Sequence, residues 1–238
     1  MNPVGGLTRI RRLWHNVCMP ISTRDLSQMP TNEKLEKLSQ SIAMLDAILS
    51  PQWEYRIFSF NAAWDTSTNE RMASMRSGSG DEYFLLFGSS GAILKGFDHE
   101  SPMSPWASDP VAVWPGVLDH VPTAFASFLS EPAFSMGDCT FCIWRQPEDE
   151  QWHCGPVAFP GDDDPDGSEG LLWMFDGRPE TYVDFASEYF KKALELDLVR
   201  RIYVHEPLTP LLVAQLNPEA GWEDALKDAD EIHYPVWS

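Results

Sequence analysis

Two apolar runs stand almost back to back near the middle of the chain: EYFLLFG, residues 82–88, and AILKGF, residues 92–97, separated by Ser89-Ser90-Gly91. A parallel pair needs a crossover of about a dozen residues or more, so a connection this short forces an antiparallel hairpin. The aromatic and aliphatic content of both runs suits strands. The fold must be built outward from this hairpin.

Further strands are predicted for WEYRIFSF, residues 53–60, and for RMASMR, residues 71–76. CTFCIWRQ and QWHCGPV are expected to form a second hairpin around the turn PEDE, and LVRRIYV, residues 198–204, reads as a strand. Helices are predicted at both ends. Leu35, Leu38, Ile42, Leu45 and Leu49 recur at steps of three and four, which makes one apolar stripe over 32–49. Thr31 or Asn32 can cap that helix and Pro51 stops it. A helix over 179–196 has Pro179 in its first turn, and shorter ones are expected at 123–129, 210–216 and 222–228. Six prolines divide residues 98–138 into short pieces. Clustered strands without regular βαβ alternation predict an α+β fold: a mostly antiparallel sheet built from hairpins, flanked by helices at the N- and C-terminal parts.

Charge divides the chain. It has 238 residues with 17 Lys and Arg against 36 Asp and Glu. Residues 1–28 nevertheless carry four arginines and one acid. They are read as a basic, flexible extension, and 29–238 as a single α+β domain. So acidic a chain repels phosphate backbones and anionic membranes, and no uncharged run approaches the ~20 residues that a membrane helix needs. Four cysteines do not make a disulfide scaffold in a chain of this length, so a reducing, cytoplasmic setting is expected.

Three motifs were weighed for chemistry. Asp162, Asp164, Asp166 and Gly167 have the spacing D-x-D-x-D-G, but the twelfth position of a calcium loop, where a bidentate Glu is needed, is Trp173. Asp166 and Glu169 can instead favour the start of a helical turn at Leu171. Cys139 and Cys142 have CxxC spacing. In a strand, residues three apart face opposite sides, so the two thiols are not expected to converge on zinc. No metal and no cofactor are expected. Arg76, Asp81, His99 and Glu100 flank the best hairpin and could share one sheet edge, where a carboxylate beside a histidine can do acid–base work or simply clamp the hairpin.

The stretch SMRSGSGDEYFLLFGSSGAILKGFDHES, followed by DDDPDGSEGLLWMF, resembles a group of bacterial proteins that carries no established activity, so it transfers no catalytic residue. In size, charge and class the chain also resembles the SMI1/KNR4-like immunity proteins of polymorphic toxin systems. That resemblance implies a non-enzymatic cytoplasmic binding protein, an immunity-type inhibitor of a basic toxin. Between Lys95 and Arg178 the only base is Arg145. An acidic face is therefore expected from Glu148, Asp149, Glu150, Asp162, Asp163, Asp164 and Asp166, with Trp152 as an aromatic anchor for a basic protein partner. The alternatives are an enzyme built on the Arg76/Asp81/His99/Glu100 edge and a scaffold protein.

Overall fold

The computed structural model describes residues 20–161 and 164–237. Its centre is a six-stranded antiparallel sheet: β1 (Phe58–Asp65), β2 (Glu70–Arg76), β3 (Glu82–Gly88), β4 (Gly91–Phe97), β5 (Phe141–Arg145) and β6 (His153–Cys154). Strand order follows the sequence, β1 to β6, so each strand pairs with the next. The central hairpin has Leu85 opposite Leu94 and Gly88 opposite Gly91. Gly91 has φ +108°, and a Cβ there would lie 2.1 Å from the Arg145 carbonyl oxygen, so only glycine fits this turn.

Both faces of the sheet are covered. On one, Phe58, Phe60, Met75, Tyr83, Leu85, Leu94 and Ile143 pack into the larger core. Its helices are α1 (Asn32–Leu49), α3 (Ser168–Leu172), α4 (Pro179–Tyr189), α5 (Leu196–Tyr203), α6 (Pro210–Leu216) and α7 (Trp222–Ile232). On the other face Phe84, Leu86, Ile93, Cys142 and Trp144 meet Phe125, Phe128 and Phe134 from the proline-rich segment, which holds the short helix α2 (Ala126–Ser130). Burial on both sides explains why EYFLLFG and AILKGF read as continuous apolar runs rather than alternating ones.

Two expectations are corrected. Residues 198–204 are not a strand, because Leu198, Val199 and Ile202 lie at helical spacing and are buried on α5. Arg200 and Arg201 turn outward to Glu180 and Asp197, and to Glu206. A strand would have alternated buried and exposed positions through the two arginines. The strand predicted from residue 53 begins at Phe58, since Trp53–Tyr55 form a single 3₁₀ turn.

Polar groups inside the core set its geometry. Asp46, in the last turn of α1, is fully buried. One carboxylate oxygen accepts the Ile57 and Phe58 N–H groups at 2.8 and 2.9 Å, and the other accepts the Tyr182 hydroxyl at 2.6 Å. Burial pushes this carboxyl up to about 6 in spite of those three bonds. On the opposite face Lys95 is fully buried, with Nζ 2.8 Å from a Glu82 oxygen and 5.3 and 5.8 Å from the ring centres of Phe84 and Phe97.

Asp46→Ala removes the acceptor for three buried donors and is expected to cost about 3–5 kcal/mol in chemical denaturation. Asp46→Asn keeps an acceptor for the two N–H groups and separates shape from charge. The folded pKa of about 6 lies above the ordinary 3.8, so the stability this carboxyl contributes is present below about pH 4 and falls as pH rises through 6. Between those limits the wild type is expected to lose up to about 3 kcal/mol relative to Asp46→Asn. Parallel pH dependence in the two proteins would refute this.

Glu82→Ala leaves a buried ammonium without its carboxylate. It is expected to cost more than Lys95→Met, which should change stability by less than about 1 kcal/mol because an apolar chain of similar length fills the site.

Candidate functional site

The register of the first hairpins places Arg76 opposite Glu82 and Glu82 opposite Phe97. The turn from Ser77 to Asp81 therefore lies beside the end of β4. Ser77 closes that turn: its N–H donates to the Asp81 carbonyl at 2.9 Å, and its Oγ accepts the Asp81 N–H at 3.0 Å. Asp81 Oδ1 then lies 2.7 Å from His99 Nδ1 and accepts the His99 backbone N–H at 3.2 Å. Asp98, beside them, accepts the Glu100 N–H at 3.0 Å, and its own N–H donates to Thr140 Oγ1 at 3.2 Å. Asp81 and Asp98 are buried while His99 is exposed.

Of the four residues expected to share this edge, Asp81 and His99 meet. Arg76 goes elsewhere: its guanidinium lies over the rings of Phe84 and Trp53, 5.3 and 5.9 Å from their centres. Glu100 is exposed and joins the cluster through its backbone. The sequence reading missed the carboxylate of Asp98. Its signal was the turn at FDHES, where Asp98 bonds two residues ahead as turn-forming aspartates do. A groove beside Asp81, lined by Ile57, Met75, Ser77, Leu171 and Trp173, encloses about 10 Å³, the room one water needs.

The acidic loop is largely spent inside the molecule. Asp164 accepts the Glu169 and Gly170 N–H groups at 2.8 and 2.9 Å. Burial raises its carboxyl to about 6. Asp166, 2% exposed, accepts the Ser168 N–H and hydroxyl at 3.0 and 2.7 Å and the Thr23 hydroxyl. These bonds satisfy orphan donors at the start of α3. Asp164 and Asp166 therefore leave the expected partner face, and Asp162 and Asp163 lie outside the described residues. Trp152 leaves it too: it is 3% exposed, with its indole N–H bonded to the Pro30 carbonyl at 2.7 Å. Asp149 is half-buried and accepts the Gln146 N–H across the β5–β6 turn, while Glu148 and Glu150 are exposed.

The same contacts shift the N-terminal boundary. Residues 20–28 are expected in the flexible extension, yet Ile21, Ser22 and Thr23 are buried, and the Thr23 N–H donates to Ser168 Oγ at 3.0 Å. The rest of that extension lies outside the described residues. The strand geometry expected for Cys139 and Cys142 is corrected, while both are free, buried thiols. The strand starts only at Phe141, and both thiols pack in the second core, where burial raises them, Cys139 to about 12.

No protein-family model matches the chain. Neither a curated protein nor a solved structure matches it. Among the described residues, no helix is long and apolar enough to cross a membrane.

A second surface emerges only in three dimensions. Trp53 and Tyr55 are 58% and 57% exposed. The next residue, Arg56, forks onto Asp228 of α7 at 2.8 and 3.0 Å. On α7, Asp224 and Glu231 flank Asp228 at i−4 and i+3 and are exposed. Lys227 is raised by its bond to Asp224, and by the charges of Asp224, Glu223 and Asp228, which reports a negative field along this helix.

The division between internal and external acids is testable. Asp166→Ala strands the bonds that join residue 23, the loop and α3, and is expected to cost about 2–4 kcal/mol in urea unfolding. The pair Glu148→Gln and Glu150→Gln should stay within about 0.5 kcal/mol of wild type. Equal effects from the two would show that Asp166 holds nothing together.

Proposed function

We propose that this chain is a non-enzymatic binding protein that captures a basic protein partner, as an immunity-type inhibitor captures a basic toxin. The observation that carries the reading is the pairing of Trp53 and Tyr55, both exposed, with the acidic helix α7 through the Arg56–Asp228 fork. Exposed aromatic anchors beside like-signed charge suit recognition of a cationic surface: the rings supply contact energy and the field steers encounter. This surface replaces the one expected around Trp152. The proposed setting is the cytoplasm, a reducing compartment that keeps Cys139, Cys142 and Cys154 as free thiols. An acid–base enzyme is the second reading and rests on the 2.7 Å contact of Asp81 with His99.

The test is capture of a partner from the source cells, followed by kinetics with that partner purified. A basic partner is expected. Trp53→Ala should weaken it by about 30-fold or more, mostly through faster dissociation. Neutralising Glu223, Asp224, Asp230 and Glu231 together should slow association about tenfold, and added salt should do the same to the wild type. A partner that is acidic, or one indifferent to both sets of changes, overturns the reading.

A further inference from the structure

We propose that Asp81, Asp98 and His99 form a binding site for one first-row divalent transition-metal cation. Among the described residues they are the one group of three potential ligands whose donor atoms all lie within 4.8 Å of one another. Neither sequence motif that suggested metal supplies a ligand to it.

The donor set is two carboxylate oxygens and one imidazole nitrogen. That combination suits Zn²⁺, Mn²⁺, Fe²⁺ or Co²⁺, whereas Ca²⁺ takes six to eight oxygens. Three protein ligands also leave coordination positions open, as in exchangeable rather than structural sites.

The short approach of His99 Nδ1 to Asp81 Oδ1, 2.7 Å, constrains what lies between them. Without metal the pair shares the His99 Nδ1 proton; with metal the same spacing suits two adjacent ligands on one cation that lies to the side of the line joining them. A dication also offsets the charge of two carboxylates held at 7% and 4% exposure, a burial that is costly for paired anions.

The ligands are positioned before any cation arrives. Asp81 is fixed by the Ser77 turn, and Asp98 by Thr140, whose hydroxyl donates to the Asp166 carbonyl at 2.7 Å. Glycines close the site on two sides. A Cβ on Gly167, at φ +75°, would lie 2.3 Å from Asp98 Cβ, and one on Gly80, at φ +118°, would lie 3.1 Å from the His99 ring. These backbones approach the ligands as closely as they do because no side chain intervenes. His99 is exposed, which gives a cation a path to the two buried carboxylates.

The test uses the full chain, stripped with chelator, dialysed and titrated with Zn²⁺ by calorimetry. One Zn²⁺ per chain is expected, with a dissociation constant of about 10 µM or tighter. Mg²⁺ and Ca²⁺ should bind at least about tenfold more weakly. His99→Ala should weaken Zn²⁺ by about 30-fold or more in protein shown to be folded by circular dichroism, although losing the partner of buried Asp81 is expected to lower its metal-free melting point. Asp98→Asn should weaken it similarly, and Glu100→Gln should not. Absence of saturable Zn²⁺ binding below about 100 µM overturns the proposal, as does equal binding by wild type and His99→Ala.

Discussion

One carboxylate, Asp46, decides how the helices meet the sheet. The first two N–H groups at the entry to β1 need acceptors where the chain leaves its 3₁₀ turn, and helix α1 runs directly over them. An apolar residue at position 46 would leave those donors buried and unmatched. Asp46 accepts both and uses its second oxygen to hold Tyr182, so α1, β1 and α4 are fixed against one another at a single point. The neighbouring Arg56 extends the junction to α7. Further bonds of the same kind run from α1 to the C-terminal helices: Ser41 Oγ to the Ile202 carbonyl, Gln40 Nε2 to the Ile232 carbonyl, and Asn217 Nδ2 to the Ile48 carbonyl. Apolar packing alone is permissive about how a helix slides or turns. These directional bonds select one arrangement.

Local rules made the hairpin of β3 and β4, the stripe on α1 and the α+β class legible. They failed where two local readings compete and tertiary contacts choose. LVRRIYV is β-branched enough for a strand, yet its buried set is Leu198, Val199 and Ile202, which only a helix brings to one side. The stretch 98–138 offered little beyond the short helix at 123–129. Its role as the lid of the second face follows from what Phe84, Leu86 and Ile93 need covered, and that need is invisible until the first face is known to be occupied. Asp81 and His99 could be paired from the hairpin register. Asp98 could not, because the chain turns immediately after β4 and breaks the alternation that would have assigned its side.

Charge was the most visible property of the sequence and the easiest to misplace. The loop GDDDPDGSEG reads as a protruding acidic edge when acids are only counted. In the fold, Asp164 and Asp166 act as acceptors for the start of α3 and for Thr23. A carboxylate beside unpaired N–H groups is a structural acceptor first and a surface charge second. The acids of α7 differ because the helix presents Ala225, Ala229 and Ile232 inward, which leaves Asp224, Asp230 and Glu231 for solvent.

The position of the Asp81–Asp98–His99 group follows from the two-sided covering of the sheet. Helices protect one face and the proline-rich segment protects the other, and the two covers meet at the strand ends, where neither is complete. There the β2–β3 turn and the end of β4 are brought together by register, and the loop before α3 closes over them through Gly167. A strand end is thus the one kind of place in such a fold where carboxylates can be largely buried and still be reached from solvent through an exposed side chain. Asp46 illustrates the opposite case. It lies at the entry to β1, fully covered, with its oxygens taken by two backbone N–H groups and a tyrosine hydroxyl. Aspartates of equal chemistry are thus separated by whether an exposed side chain opens their surroundings to solvent.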